Sequence, residues 1–117
     1  MRTVRIGIAG FEDMVQDAET AFKGEYRGEY IGFISLELMH KVLTPNRWQM
    51  LQAMMGQGPM GIRELARVLD RDVKQVSTDV TALAKAGVIN RTTTGAVEFP
   101  FDKIHVDFTV EAAARVA

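Results

Sequence analysis

Cysteine is absent from this chain of 117 residues. That excludes a disulfide framework, a thiolate zinc site and a thiol nucleophile, and it suits a reducing, cytoplasmic location. No apolar run approaches the ~20 residues that a membrane helix needs, so no membrane partner is expected. The opening MRTVRIGIAG carries a charge inside its apolar stretch and reads as a strand, not a signal peptide. A strong charge of one sign is missing too. Fourteen basic residues face fifteen acidic ones, a net −1, whereas nucleic-acid binders commonly lean basic. There is no repeat and no low-complexity linker. What remains is 47% hydrophobic and 25% charged, ordinary for a soluble domain, and the length suits one core.

The chain is organised around residues 60–99. Ile62, Leu65, Ala66 and Leu69 fall on one face of a short helix, and Val73, Val76, Val80 and Leu83 do the same for a second. Asp70-Arg71-Asp72 forms the turn between them. Asp72 with Gln75 matches a capping box, and Gly87 supplies a stop. Val88–Arg91 and Ala96–Phe99 are β-like runs around Thr92-Thr93-Thr94-Gly95, a hairpin turn. Helix, turn, helix and hairpin predict a winged helix-turn-helix, which usually places its second helix in a DNA major groove.

Around this unit, Val4, Ile6 and Ile8 alternate with polar or small residues and predict a strand over 3–9. Phe11, Met14, Val15, Ala18 and Phe22 predict a helix over 11–23. After a Gly-rich loop, Tyr30 to Ile34 reads as a second strand. Ser35 caps a short helix, 36–43. Thr44-Pro45 starts another, with Trp48, Leu51 and Met55 inward. Beyond Pro100, Ile104, Val106, Phe108 and Val110 alternate with polar residues as a strand at a sheet edge, before an Ala-rich tail at 111–117. The fold class is α+β: an N-terminal β-α-β-α extension for dimerisation (1–44), a winged helix-turn-helix (45–100), and a C-terminal strand and tail (101–117). The terminal strands, with Tyr30 to Ile34, are expected to form a second sheet lined by Val4, Ile6, Phe33, Val106 and Phe108.

Residues 61–95 hold six basic side chains against four acidic ones, so the basic excess sits on the proposed reader. The excess is small, which favours binding as a dimer. Opposite Val76, Val80 and Leu83, at roughly 100° per residue, lie Lys74, Thr78, Thr81 and Lys85, with Gln75 at the edge. Gln75 suits adenine, and Lys74 suits guanine or phosphate. Arg91 and Thr93 suit a wing on phosphates or the minor groove. Arg71 is the arginine best placed to clamp the backbone, ahead of Arg63 and Arg67, while Asp79 reads as an ion-pair partner. The competing reading of each is a solvated surface.

Other features carry less. Gly7-Ile8-Ala9-Gly10 lacks the third glycine of a dinucleotide turn, and Glu12-Asp13 would repel phosphate, so a tight strand-to-helix turn is the better reading. His40 and His105 have no spaced ligand partners, and Met50, Met54 and Met55 read as core. No nucleophile–base pair stands out. The chain is read as a non-enzyme with no cofactor and no metal.

Three runs together go further: Leu43-Thr-Pro-Asn-Arg-Trp48, Arg71-Asp-Val-Lys74, and the ending Pro100-Phe-Asp-Lys-Ile-His-Val-Asp-Phe108. With the segments around them they resemble small prokaryotic MarR-like DNA-binding regulators, some of them antitoxins encoded beside TumE-type toxins. The resemblance spans nearly the whole chain. It implies sequence-specific binding to double-stranded DNA, repression of its own operon, a homodimer, and a cognate toxin as a further partner. Ser77 and Thr78 are smaller than the polar or basic residues such regulators carry there. The alternative is a winged-helix module for protein contacts without strong DNA binding, which the near-neutral charge favours.

Overall fold

The structure, a computed structural model, describes residues 2–8, 29–110 and 112. The helix expected over 11–23, the Gly-rich loop up to Gly28 and nearly all of the Ala-rich tail lie outside them. The elements run β1 (Thr3–Ile8), β2 (Glu29–Phe33), α1 (Leu36–Val42), α2 (Pro45–Met54), α3 (Ile62–Leu69), α4 (Val73–Lys85), β3 (Asn90–Arg91), β4 (Val97–Glu98) and β5 (Lys103–Asp107). Among the described residues it is an α+β fold with two small sheets.

Three strands make the larger sheet, in the order β2-β1-β5, with both pairings parallel. The strands at both ends of the chain therefore share one layer, and everything from α1 to β4 lies on the connection between β2 and β5. Strand side chains alternate between faces. The register sets Val4 beside Ile104, Ile6 beside Ile31 and Val106, and Ile8 beside Phe33, all on one face. Val4, Ile6 and Phe33 are buried as expected, in one core with Met39, Leu51, Leu65 and Leu83. Val106 and Phe108 do not line that core; they remain 40% and 38% exposed. β5 is an edge strand, and of its apolar residues only Ile104 packs partly against the core.

Helix starts follow side-chain chemistry where an oxygen is in reach. The Ser35 hydroxyl accepts from the Leu38 N–H at 3.1 Å and starts α1. Thr44 accepts from the Arg47 N–H at 3.4 Å, with Pro45 at the first helical position of α2. In α2, Leu51 is fully buried as expected. Met50 and Met54 are fully buried beside it, while Trp48 and Met55 are only partly so.

Between α3 and α4 the chain turns at Asp70, whose φ of 53° and ψ of 51° are left-handed. The Asp70 N–H donates to Arg67 O at 3.2 Å and the Arg71 N–H to Ala66 O at 3.0 Å. This is the paired closure that glycine usually makes. Gly87 makes it at the end of α4: Gly87 N–H to Ala84 O at 3.1 Å and Val88 N–H to Leu83 O at 3.0 Å. The expected capping box at Asp72 is not formed. Asp72 makes no side-chain cap bond, and its position is exposed, so solvent is available to the first-turn donors. Val73 also leaves the assigned face, at 42% exposed, while Val76, Val80 and Leu83 are fully buried. It occupies the first helical position, ahead of the turn that packs on α3.

The hairpin strands are shorter than the apolar runs suggested, two residues each. They are not alone: Met60 and Val97 exchange both backbone bonds at 2.8 Å. That bridge ties the hairpin to the segment ahead of α3 and adds the pairing that an isolated two-stranded ribbon lacks.

Candidate nucleic-acid interface

With Val76, Val80 and Leu83 buried, the opposite side of α4 faces outward, and Lys74, Gln75, Thr78 and Lys85 are all exposed there. Together they give that side of the helix two cations, an amide and a hydroxyl. The Thr78 hydroxyl donates to Lys74 O at 3.1 Å, which turns it along the helix and leaves its lone pairs outward.

Thr81 is placed differently. Its hydroxyl donates to Ser77 O at 2.9 Å and accepts from Arg91 Nη2 at 3.1 Å. The hairpin is thus tied by a side chain to the helix beside it, and Thr81 acts within the protein. Arg91 stays exposed while making that bond. At the hairpin tip, Thr92 accepts from the Ala96 N–H at 3.1 Å and pairs with the Thr94 hydroxyl at 3.0 Å. Gly95 carries the positive φ of 86° that closes the turn. Thr93 is exposed at the tip.

Arg71 leans onto α2. Its guanidinium donates to Asn46 O at 3.1 Å, to Asn46 Oδ1 at 3.2 Å, and to Gln49 Oε1. It is half-buried and holds the turn against the preceding helix. Beside it an open groove of about 450 Å³ is lined by Arg63, Ala66, Arg67, Asp70, Arg71, Asp72 and Val73. The three cations in this lining draw anions, and the two carboxylates temper that pull.

One residue of this surface was missed in the sequence-based assignment. Arg47 Nε bonds Asp79 Oδ1 at 3.0 Å, and its Nη1 donates to Lys41 O at 3.3 Å and Val42 O at 3.0 Å. Asp79 is therefore an ion-pair partner, as read. Arg47 sets how α4 sits on α1 and α2. Its only sequence signal was its place in the Leu43–Trp48 run.

Among the described residues no group of three or more His, Asp or Glu is placed to hold a metal, and no helix is long and apolar enough to cross a membrane.

The class the fold defines is an α+β protein in which a helical unit and hairpin are set between the strands of a small parallel sheet. A family model described as HVO_A0114 matches residues 42–106, more than half of the chain, and the chain belongs to that family. The match runs from the end of α1 through α2, α3, α4 and the hairpin into β5. No curated protein matches the chain.

Proposed function

We propose that this chain is a transcriptional regulator that binds double-stranded DNA as a homodimer through a winged helix-turn-helix. In this reading α3 and α4 are the helix-turn-helix, β3 and β4 the wing, and the Met60–Val97 bridge the short third strand beside it. The observation that carries it is the exposure of Lys74, Gln75, Thr78 and Lys85 on α4, backed by fully buried Val76, Val80 and Leu83. A helix of 13 residues held this firmly on one side can enter a major groove with its first turns, where Lys74 and Gln75 sit. Arg91 and Thr93 then lie on the flanking wing, and Arg63, Arg67 and Arg71 line a groove suited to a backbone phosphate.

Repression of its own operon, and neutralisation of a toxin encoded beside it, follow from the resemblance to MarR-like regulators and antitoxins. The test is fluorescence anisotropy with duplex DNA from upstream of the coding region against random duplex, across a salt series. Tighter binding to the upstream duplex, with log K falling linearly in log salt, supports the reading. Equal binding to both, or none, rejects it. A second reading, a module for protein contacts, is favoured by one observation. Val68 and Val73 are exposed on α3 and α4, apolar surface that a protein partner would cover.

A further inference from the structure

The order β2-β1-β5 means that the chain leaves β1 toward one side of the sheet and comes back to the other. In open parallel sheets the crevice beyond the carboxyl ends of the strands, at the point where connections diverge, is where small ligands bind. Here that point is the end of β1. A cleft of about 380 Å³ opens there, lined by Arg5, Ile8, Tyr30, Asp107, Phe108 and Thr109.

We propose that this cleft binds a small zwitterion of the amino-acid class, its carboxylate on Arg5 and its ammonium on Asp107. Three observations converge on it. First, the guanidinium of Arg5 lies 5.0 Å from the ring centre of Tyr30. Stacking on an aromatic face orients its donors and reduces the entropy lost when they take a carboxylate. Second, Asp107 lines the same cleft, yet among the described residues it makes no ion pair with Arg5. Two opposite charges sharing a cleft unpaired match a ligand that carries both. A phosphate ester or simple dicarboxylate would meet Asp107 as a like charge. Third, Asp107 and Tyr30, which line the cleft, are packed closely against β1 beside it. A Cβ on Gly7 would stand 2.5 Å from Asp107 O and 3.1 Å from the Tyr30 hydroxyl. Only glycine lets β5 and Tyr30 close over β1 there. This accounts for Gly7 without a phosphate loop.

Ile8 and Phe108 supply an apolar wall for a side chain, and Thr109 a hydroxyl. The volume falls within the range of about 300–1,000 Å³ common for small-molecule sites. The inference stands apart from the DNA reading, since none of these residues belongs to α4 or the hairpin.

The experiment is a thermal melt of the full chain with each of the protein amino acids, each compared with its decarboxylated amine and its deaminated acid. At least one amino acid raises the Tm, by an amount that grows with the logarithm of its concentration. The matching amine and acid, at equal concentration, give less than half that shift. Arg5→Gln and Asp107→Asn each remove the response. For wild-type protein, amide chemical shifts at Gly7, Tyr30, Asp107 and Thr109 move on titration, so the site is located even where a variant folds poorly. No response to any amino acid overturns the proposal. So does an amine or acid that works as well as the zwitterion, a response that survives both substitutions, or shifts confined to other residues.

Discussion

Arg47 and Asp79 form an ion pair at 3.0 Å with their side chains only 17% and 19% exposed. Arg47 Nη1 donates to Lys41 O and Val42 O at the end of α1. The last carbonyls of a helix have no partner within it, so one guanidinium closes α1 and fixes α4. Removing either partner leaves a charge in a nearly dry site. Asp79→Asn and Arg47→Met are each expected to cost roughly 2–4 kcal/mol in denaturant melts. The double variant should cost less than their sum. Additive losses would show that the pair is not coupled.

The burial of α4 separates two apolar residues, Leu83 and Val73, that the spacing grouped together. Leu83→Ala should cost roughly 2–5 kcal/mol, the usual range for a core truncation. Val73→Ala should stay within about 0.5 kcal/mol, since Val73 faces solvent. Equilibrium urea unfolding of both checks the helical phase, and equal losses would contradict it.

At the turn, Asp70 holds a left-handed conformation with φ 53°. A β-branched side chain there meets its own carbonyl, so Asp70→Val should cost about 1–2 kcal/mol. Asp70→Gly should change stability by less than about 1 kcal/mol. Thermal melts of the pair give the comparison, and a Gly variant as unstable as the Val variant would rule out the backbone explanation.

For DNA, Gln75→Ala should cost on the order of 1–3 kcal/mol on the cognate site and relax preference at one base. Lys74→Ala should weaken cognate and random duplexes alike and lower the salt slope by about one. The circular dichroism of both should match wild type, because both positions are exposed. Wild-type binding by both variants would remove α4 as the reader.

The proposed dimer has a surface to test. Val106 on the edge strand β5 and Phe108 just beyond its end are large and exposed, and unpaired edges readily take a partner. Sedimentation of the full chain should show a dimer at micromolar concentration, and Val106→Glu should shift it to monomer. A wild-type monomer that still binds DNA tightly would refute the assembly.

Local chemistry made most of the elements readable in the chain itself. Ser35 and Thr44-Pro45 start helices because an oxygen or a missing N–H settles the first turn, and Gly87 ends one because it adopts positive φ without strain. Val76, Val80 and Leu83 marked the buried face of α4 because spacing along a helix already encodes direction. Tertiary structure decided what depends on residues distant in sequence. Period-two alternation put Val106 and Phe108 on one face of a strand at a sheet edge, and β5 is an edge strand; what it could not say is that this face overhangs the core there. Charge type alone could not tell Lys74, which is exposed, from Arg71, which is turned onto Asn46 and Gln49, because a salt bridge or hydrogen bond needs two positions and the sequence shows one. For the same reason Arg47, 32 residues from Asp79, was only one arginine among others. And the cleft at the end of β1 exists only because β2 and β5, some 70 residues apart, both lie parallel to β1, one on each side of it.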